Sequence, residues 1–408
     1  MKKLLLILLC LPIIGFGQIW EKTYGGNSRD DGYFVQQTTD GGYIMCGKTN
    51  SFGNGGYDVY LIKTDLNGVE EWSQTYGGIN NDEAYTVQQT TDSGYIMCGK
   101  TNSFGNGGDD VYIIKTDLNG VEEWTQTYGG TGGESSNDIK QTSDGGYIIC
   151  GQIFNVSWDA YVIKIDLNGI VEWTQNYGGA NSTYAKSVEQ TSDGGYIICG
   201  QSGTNVYLIK TDLNGVEEWS QTYSGSLVGN CIKQTTDGGY IILADAEVGN
   251  NYEIQLIKTD LNGVEEWSQV YGGGGLQQSN YVQQTLDGGY IVLGSTDNPN
   301  GILFFKVNSN GIEEWSKQFS GGYPGSCQQT LDGGFIICGT NEDAFPDTDL
   351  YLIKTDGQGT SNINITSLSN RKLDILINVL GMEINNKKYQ PLLYIYDDGT
   401  VEKKIVIE

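Results

Sequence analysis

Read for polarity alone, the first full unit alternates short apolar runs with turn formers. "YFVQQT" (33–38) runs into "TDGG" (39–42), then "YIMCGKT" (43–49), a loop, "DVYLIKTD" (58–65), "LNG" (66–68) and "VEEWSQTYG" (69–77). No helical period occurs anywhere in it. Four short strands, here lettered a to d, are predicted, with Gly-rich or Asn-Gly turns joining a to b and c to d. Strands b and c are apolar on both faces, with Val59 and Leu61 on one side of c and Tyr60 and Ile62 on the other. Such strands need a sheet above and a sheet below. Strand a is small and polar (Gln36, Gln37, Thr38), as suits the lining of a wet channel. Strand d alternates, with Trp72 and Tyr76 on one side and Glu71, Ser73 and Thr75 on the other, the pattern of an outer strand with one solvated face.

The unit recurs. Trp stands at 20, 72, 124, 173, 219, 267 and 315, at steps of 52, 52, 49, 46, 48 and 48 residues, and a "QT-x-D-G-G-Y"-type element keeps pace from 37 to 335. A period of this length means a propeller or a solenoid. Strands a, b and c occur seven times, the last set ending at Asp356 with no strand d behind it. Strand d also occurs seven times, the first as "IWEKTYG" (19–25) with nothing before it. The orphan at the start completes the unit at the end. Pairing "WEKTY" with "LYLIKTD" (350–356) closes a ring and covers two sheet edges, a device a linear solenoid would not use. The prediction is an all-β chain, a seven-bladed β-propeller closed by an N-terminal outer strand. Trp20, Tyr24, Tyr351 and Ile353 are its ring-closure residues.

The repeats resemble known propeller families in which a "DGG-aromatic" marks the a–b hairpin and a Trp marks the outer strand. That resemblance spans roughly 19–356 and implies fold, not activity. The end of the chain resembles something more specific. "VLGMEIN" (379–385) and "PLLYIYDDGTVEKKIVIE" (391–408) are similar to the C-terminal sorting domain of type IX secretion substrates. The resemblance implies a small β-sandwich-like domain that directs cargo across the outer membrane, with the secretion machinery as partner. Gly381, Tyr394, Tyr396, Asp398, Gly399, Lys403 and Lys404 would carry the motif. The residues themselves also set the tail apart: it lacks the repeat, and strand-like runs flank a "DDG" turn. At the other end, "MKKLLLILLCLPIIGFGQ" has two lysines, an apolar core too short to span a bilayer comfortably, and small residues before Gln18. It reads as a signal peptide. Cys10, flanked by Leu9 and Leu11 inside the apolar run, does not read as a lipid-attachment site. The expected organisation is signal peptide 1–17, propeller 18–358, linker 359–372 and sorting domain 373–408, with no transmembrane segment in the mature chain and an extracellular or outer-surface destination.

Composition then narrows the chemistry. The chain of 408 residues carries 23 basic and 50 acidic residues, a net charge of −27. With the tail (six basic, six acidic from 362) and Lys2 and Lys3 set aside, the body keeps 15 basic and 44 acidic residues, about −29. That surface repels nucleic acid and suits cations, neutral glycans or basic partners; it is also what any solvated secreted protein needs. There is no His, which excludes His-based triads and His metal sites. Cys46, Cys98, Cys150, Cys199 and Cys338 share one strand b position that Leu243 and Leu293 take in the other two units, so they read as small buried hydrophobes. Cys327 and Cys338 count to opposite places on the last a–b hairpin, where a cross-strand disulfide would fit an exported protein. "TDLNG" lacks the acidic spacing of a calcium loop and is explained by an Asn-Gly turn.

The d–a and b–c connections share one face of the ring and vary in sequence, which is where binding normally sits. Asp30, Asp82 and Glu134 fall six residues after the repeated Tyr in three consecutive d–a loops, forming an acidic arc that would also collect divalent cations. Trp158 is the only Trp outside strand d, either a stacking platform for a sugar or peptide or a plug between blades. Two functional classes stand. One is a binding or adhesion module for a polysaccharide or protein. The other is a glycan-degrading enzyme using paired Asp and Glu, although no pair is singled out. A purely structural surface protein is the remaining reading.

Overall fold

In the computed structural model the described residues are 19–361, except 180, 250, 273–275, 298–299 and 343–346, together with the backbone of three strands in the tail. The signal-peptide region, the linker from 362 onward and Gly381, Asp398 and Gly399 of the sorting motif lie outside them. The chain divides into two compact units, Met1–Ser361 and Asn362–Glu408.

The first unit holds seven four-stranded antiparallel sheets. Blade 1 is β2 (Asp30–Gln37), β3 (Tyr43–Thr49), β4 (Asp58–Thr64) and β5 (Glu70–Tyr76). Blades 2 to 6 repeat this order, from β6 (Asp82–Gln89) to β25 (Glu313–Ser320). Blade 7 takes β26 (Tyr323–Gln329), β27 (Phe335–Asn341) and β28 (Asp349–Thr355) from the end of the repeats and β1 (Trp20–Tyr24) from the start, in the order β1-β28-β27-β26. Trp20 lies opposite Lys354 and Tyr24 opposite Leu350, with Ile353 and Tyr351 between them on β28. Strands b and c are buried along their whole length and strand d is half exposed, as their polarity requires.

One joint is repeated between blades. The outer-strand Trp of each blade meets the strand b aromatic of the next, from Trp20 on Tyr43 round to Trp315 on Phe335, at ring-centroid distances of 5.8–6.3 Å. Each such contact adds roughly 0.5–1.5 kcal/mol to area burial. The same Trp covers the glycine of the next c–d turn. Gly68 has φ +71°, and a Cβ there would sit 2.7 Å from the Trp20 ring, so both backbone and space demand glycine. The outer-strand Tyr hydroxyl donates to that glycine's carbonyl in six blades, from Tyr24 to Gly68 at 2.6 Å to Tyr271 to Gly311 at 2.6 Å. Phe319 takes the seventh place and has no hydroxyl to give.

A second tie runs round the inner turns. The side-chain carbonyl of the second Gln of each "QQT"-type run accepts a backbone N–H from the a–b turn of the preceding blade, at 2.8–2.9 Å. All seven bonds form, the last from Leu331 N to Gln37. Gln37 is therefore a blade-to-blade strap, while Gln36 lines the channel and accepts from Gln89 N at 2.6 Å.

A third repeated feature is a buried lysine on strand c. Lys63 sits 2.9 Å from both Asp40 and Glu71 and donates to Thr64 O. The pattern recurs at Lys115, Lys164, Lys210, Lys258 and Lys306; Lys354 keeps its turn aspartate, Asp332, at 2.9 Å. Burial pushes the Asp40 carboxyl up, but hydrogen bonds from Thr38, Lys63 and the Gly42 N–H outweigh it and hold the pKa down at about 2. Asp193 and Asp287 are likewise held at about 2.

The disulfide expectation is corrected. In the last a–b hairpin Cys327 lies opposite Ile337, not Cys338. One residue of offset turns a side chain to the other face of a sheet. Cys327 packs with Phe304 and Ile337, and Cys338 with Ile336 and Leu352, in separate core clusters. Both thiols are free, as are the other described cysteines, and burial pushes Cys98 and Cys338 up to about 12.

In the second unit, β29 (Leu373–Asn378), β30 (Pro391–Tyr396) and β31 (Val401–Ile405) form an antiparallel sheet in chain order. Tyr394 and Tyr396 fall on β30, and Lys403 and Lys404 on β31.

Two predictions follow from the joints and clamps. Trp20→Ala removes the aromatic that seats blade 7 on blade 1 and should cost about 3 kcal/mol. Trp20→Phe should cost much less, because the indole N–H is buried without a partner. Urea unfolding of both variants checks this; equal stability of Trp20→Ala and the parent would dissociate ring closure from β1. The turn aspartates set an acid limit. Their folded pKa values lie below the unfolded carboxylate value of about 3.9, so their stabilisation is present above that pH and is lost as pH falls toward 2. An Asp40→Asn, Asp193→Asn, Asp287→Asn variant should unfold less steeply across that window than the parent. An unchanged acid transition would place the acid-labile groups elsewhere.

Candidate functional site

The varied positions of strand a converge on the ring axis. Each strand a carries a bulge at the same register, between Gly32 and Phe34 in β2 and at the matching places in all seven blades. A bulge bends the strand and re-aims its side chains, so two successive residues line the channel where simple alternation would present one. One layer holds Tyr33, Tyr85, Asn137, Lys186, Asn230, Asn280 and Gly325. The next holds Phe34, Thr86, Asp138, Ser187, Cys231, Tyr281 and Ser326. Residues 33 and 34 and their counterparts differ from blade to blade while the "QT" three to four positions beyond the second of them repeats, and that contrast was the signal in the sequence for this lining.

The polar groups of the channel are partly spent on holding blades together. Asn137 Nδ2 donates to Ala185 O at 2.7 Å and Asn280 Nδ2 to Pro324 O at 3.1 Å. Asp138 receives Lys140, Ser187 Oγ (3.0 Å) and Val188 N (3.1 Å). Glu189 pairs with Lys233 at 2.6 Å, and Lys233 also lies over the Tyr281 ring at 5.3 Å. Asn280 Oδ1 is buried with no hydrogen-bond partner.

A groove of about 320 Å³ opens on the loop face beside the channel and shares Tyr85, Asn137 and Lys186 with it. Its outer wall is Trp158, at the start of β12 (Trp158–Ile165), with Glu134, Lys100 and Asp109. Trp158 is half-buried between Phe154 (ring centroids 5.2 Å apart) and Tyr184 (6.2 Å). It is thus propped by aromatics on the groove wall. Lys100 and Asp109 are paired at 3.0 Å. Lys186 is half-buried and has no ion pair; burial lowers its pKa, and the pull of Cys150 offsets this only in part.

The acidic arc is corrected. Asp30 and Asp82 are fully buried. Asp30 accepts Gly26 N and Ser51 Oγ, each at 2.7 Å, and Thr49 Oγ1. Asp82 does the same with Gly78 N, Ser103 Oγ and Thr101 Oγ1. These carboxylates cap the d–a loops and have no exposed oxygen to offer a ligand. Glu134, 3% exposed, accepts Gly130 N at 3.0 Å and is the one member that reaches the groove. Asp58 has its carboxyl pushed up chiefly by burial; a hydrogen bond from Asn54 N opposes this and the charge of Asp82 adds to it. Asp65 of "TDLNG" spends its Oδ1 on Asn67 N and Val69 N at 2.8 Å, which makes it a turn residue. Among the described residues no group of three or more Cys, Asp or Glu is placed to hold a metal ion, and no helix is long and apolar enough to cross a membrane.

No family model matches the sequence, and no curated protein matches it. Solved structures do match. BBS1N, crystallised in complex with ARL6DN, superposes with a TM-score of 0.52 at 9% identity, covering 82% of this chain and 95% of that one. A protein from Lactobacillus plantarum superposes with a TM-score of 0.52 at 13% identity, covering 78% and 97%. At these identities the likeness is one of fold: an all-β, seven-bladed propeller.

Proposed function

We propose that this chain is an exported binding module that holds a polysaccharide in the groove between Trp158 and the channel mouth. One observation carries the reading. Trp158, braced by Phe154 and Tyr184, forms one wall of a groove whose other walls are polar and which runs on into the channel. An aromatic platform beside hydroxyl- and amide-bearing walls matches a sugar ring, apolar on its faces and polar at its rim. The hydrolytic reading gains no support from the geometry. Asp138 is tied to Lys140 and Ser187, and Asp109 to Lys100 and Asn102. Export through type IX secretion, ending outside the cell or on its outer surface, rests on the signal-like start and on the resemblance of 379–408 to the sorting domain.

Binding is tested on the full secreted chain with a glycan array and affinity electrophoresis. Trp158→Ala should weaken any retained glycan roughly five- to tenfold, the worth of about 1 kcal/mol of stacking, with the melting temperature unchanged. Asp30→Asn should leave affinity alone and lower stability instead. A Trp158→Ala protein that binds like the parent would move the site off this groove. For export, a chain lacking 391–408 should stay in the periplasm with the propeller folded; normal appearance in the medium or on the surface would refute the sorting role.

A further inference from the structure

The groove contains an unneutralised cation in a strongly acidic protein. Among the described residues every Lys and Arg of 19–361 enters an ion pair except Lys22, Lys186 and Lys317. Lys22 and Lys317 stand on the outer strands β1 and β25. Lys186 alone stands on the channel wall, on the bulge of β14 (Thr183–Gln190), where it lines both the channel and the Trp158 groove.

The acids around it do not neutralise it. Asp138, in the same channel, is engaged by Lys140, Ser187 and Val188. Glu189, two strand positions beyond Ser187, is engaged by Lys233 and Gln234 N. On the groove side Asp109 is held by Lys100, and Glu134 by Gly130 N. Taking an ammonium out of water costs free energy that only a counter-charge returns. A lysine without a counter-charge on one wall of the groove and an aromatic face on another together describe a ligand with one anionic group on a partly apolar ring.

We propose that Lys186 selects a sugar that bears a single carboxylate, a uronic-acid type of residue. This inference rests on the glycan-binding reading of the same groove. The ammonium takes the carboxylate, and Trp158, on the same groove, covers a face of the sugar or its neighbour. One lysine matches one negative charge. The body, at about −29 by the count above, repels polyanions, so the ligand is a sparsely charged or end-charged glycan rather than a polyuronate.

The test uses the full secreted chain on an array of glycans with a single uronic acid, each beside its carboxyl-reduced, neutral form, with a short oligoglutamate peptide included. Acidic members should bind roughly tenfold to a hundredfold tighter than their reduced partners, the worth of one charge-assisted contact. Lys186→Gln should abolish the difference while retaining the binding of neutral forms. Lys186→Met serves as a second variant, and melting temperatures confirm that both fold. Equal binding of acidic and reduced forms would overturn the role of Lys186 and leave the glycan-binding reading standing. Retention of no glycan would overturn both. Preference for oligoglutamate over every uronic glycan would assign Lys186 to a peptide and overturn the sugar.

Discussion

The ring depends on one joint, the seating of each outer-strand tryptophan on the blade that follows. The indole fills the space between a strand b aromatic and a c–d turn whose glycine no other residue can replace. A propeller has no core shared by all blades; it has seven interfaces, and the weakest decides whether the ring stays closed. Because each joint takes its Trp from one unit and its glycine from the next, a missing outer strand would leave the following blade's turn and strand b aromatic uncovered. Drawing β1 from the start of the repeats and β28 from their end makes the last joint equal to the other six.

Constancy at the joints leaves freedom elsewhere. The Gln straps, the buried lysine clamps and the Tyr–Gly bonds all use residues that recur in register. The buried arc of Asp30 and Asp82 belongs with them, since its carboxylates hold loop backbone. What varies is the bulged stretch of strand a and the loops above it, and there Trp158 and Lys186 share a groove. Strength and recognition are therefore divided between residues that cannot change and residues that do not need to stay the same.

Charge follows the same division. Among the described residues of the propeller, twelve of the fifteen basic ones enter ion pairs, and six of them are buried lysines clamped between two acidic side chains, where losing the acids would strand a buried charge. The one lysine on the channel wall left out of this scheme sits at the mouth of the groove.

The sequence by itself determined the blade count, the strand order within a blade and the closure by an orphan strand. Period, turn chemistry and face polarity are local properties, and they were repeated seven times, so every reading was checked by its neighbours. Only the tertiary structure decided which polar residues face the channel and the groove beside it. Asp30 looks like a surface carboxylate until the b–c loop folds over it and supplies Thr49 and Ser51. Cys327 and Cys338 count as partners until the five-residue turn between Gln329 and Phe335 sets the register one residue away and sends them to opposite faces. Lys186 reads as one more polar residue of strand a until the bulge turns it to the channel, away from the acids that hold every other lysine there. Each depends on the register a turn sets, on a backbone irregularity or on contact between distant segments, and a pattern of polar and apolar letters encodes none of these.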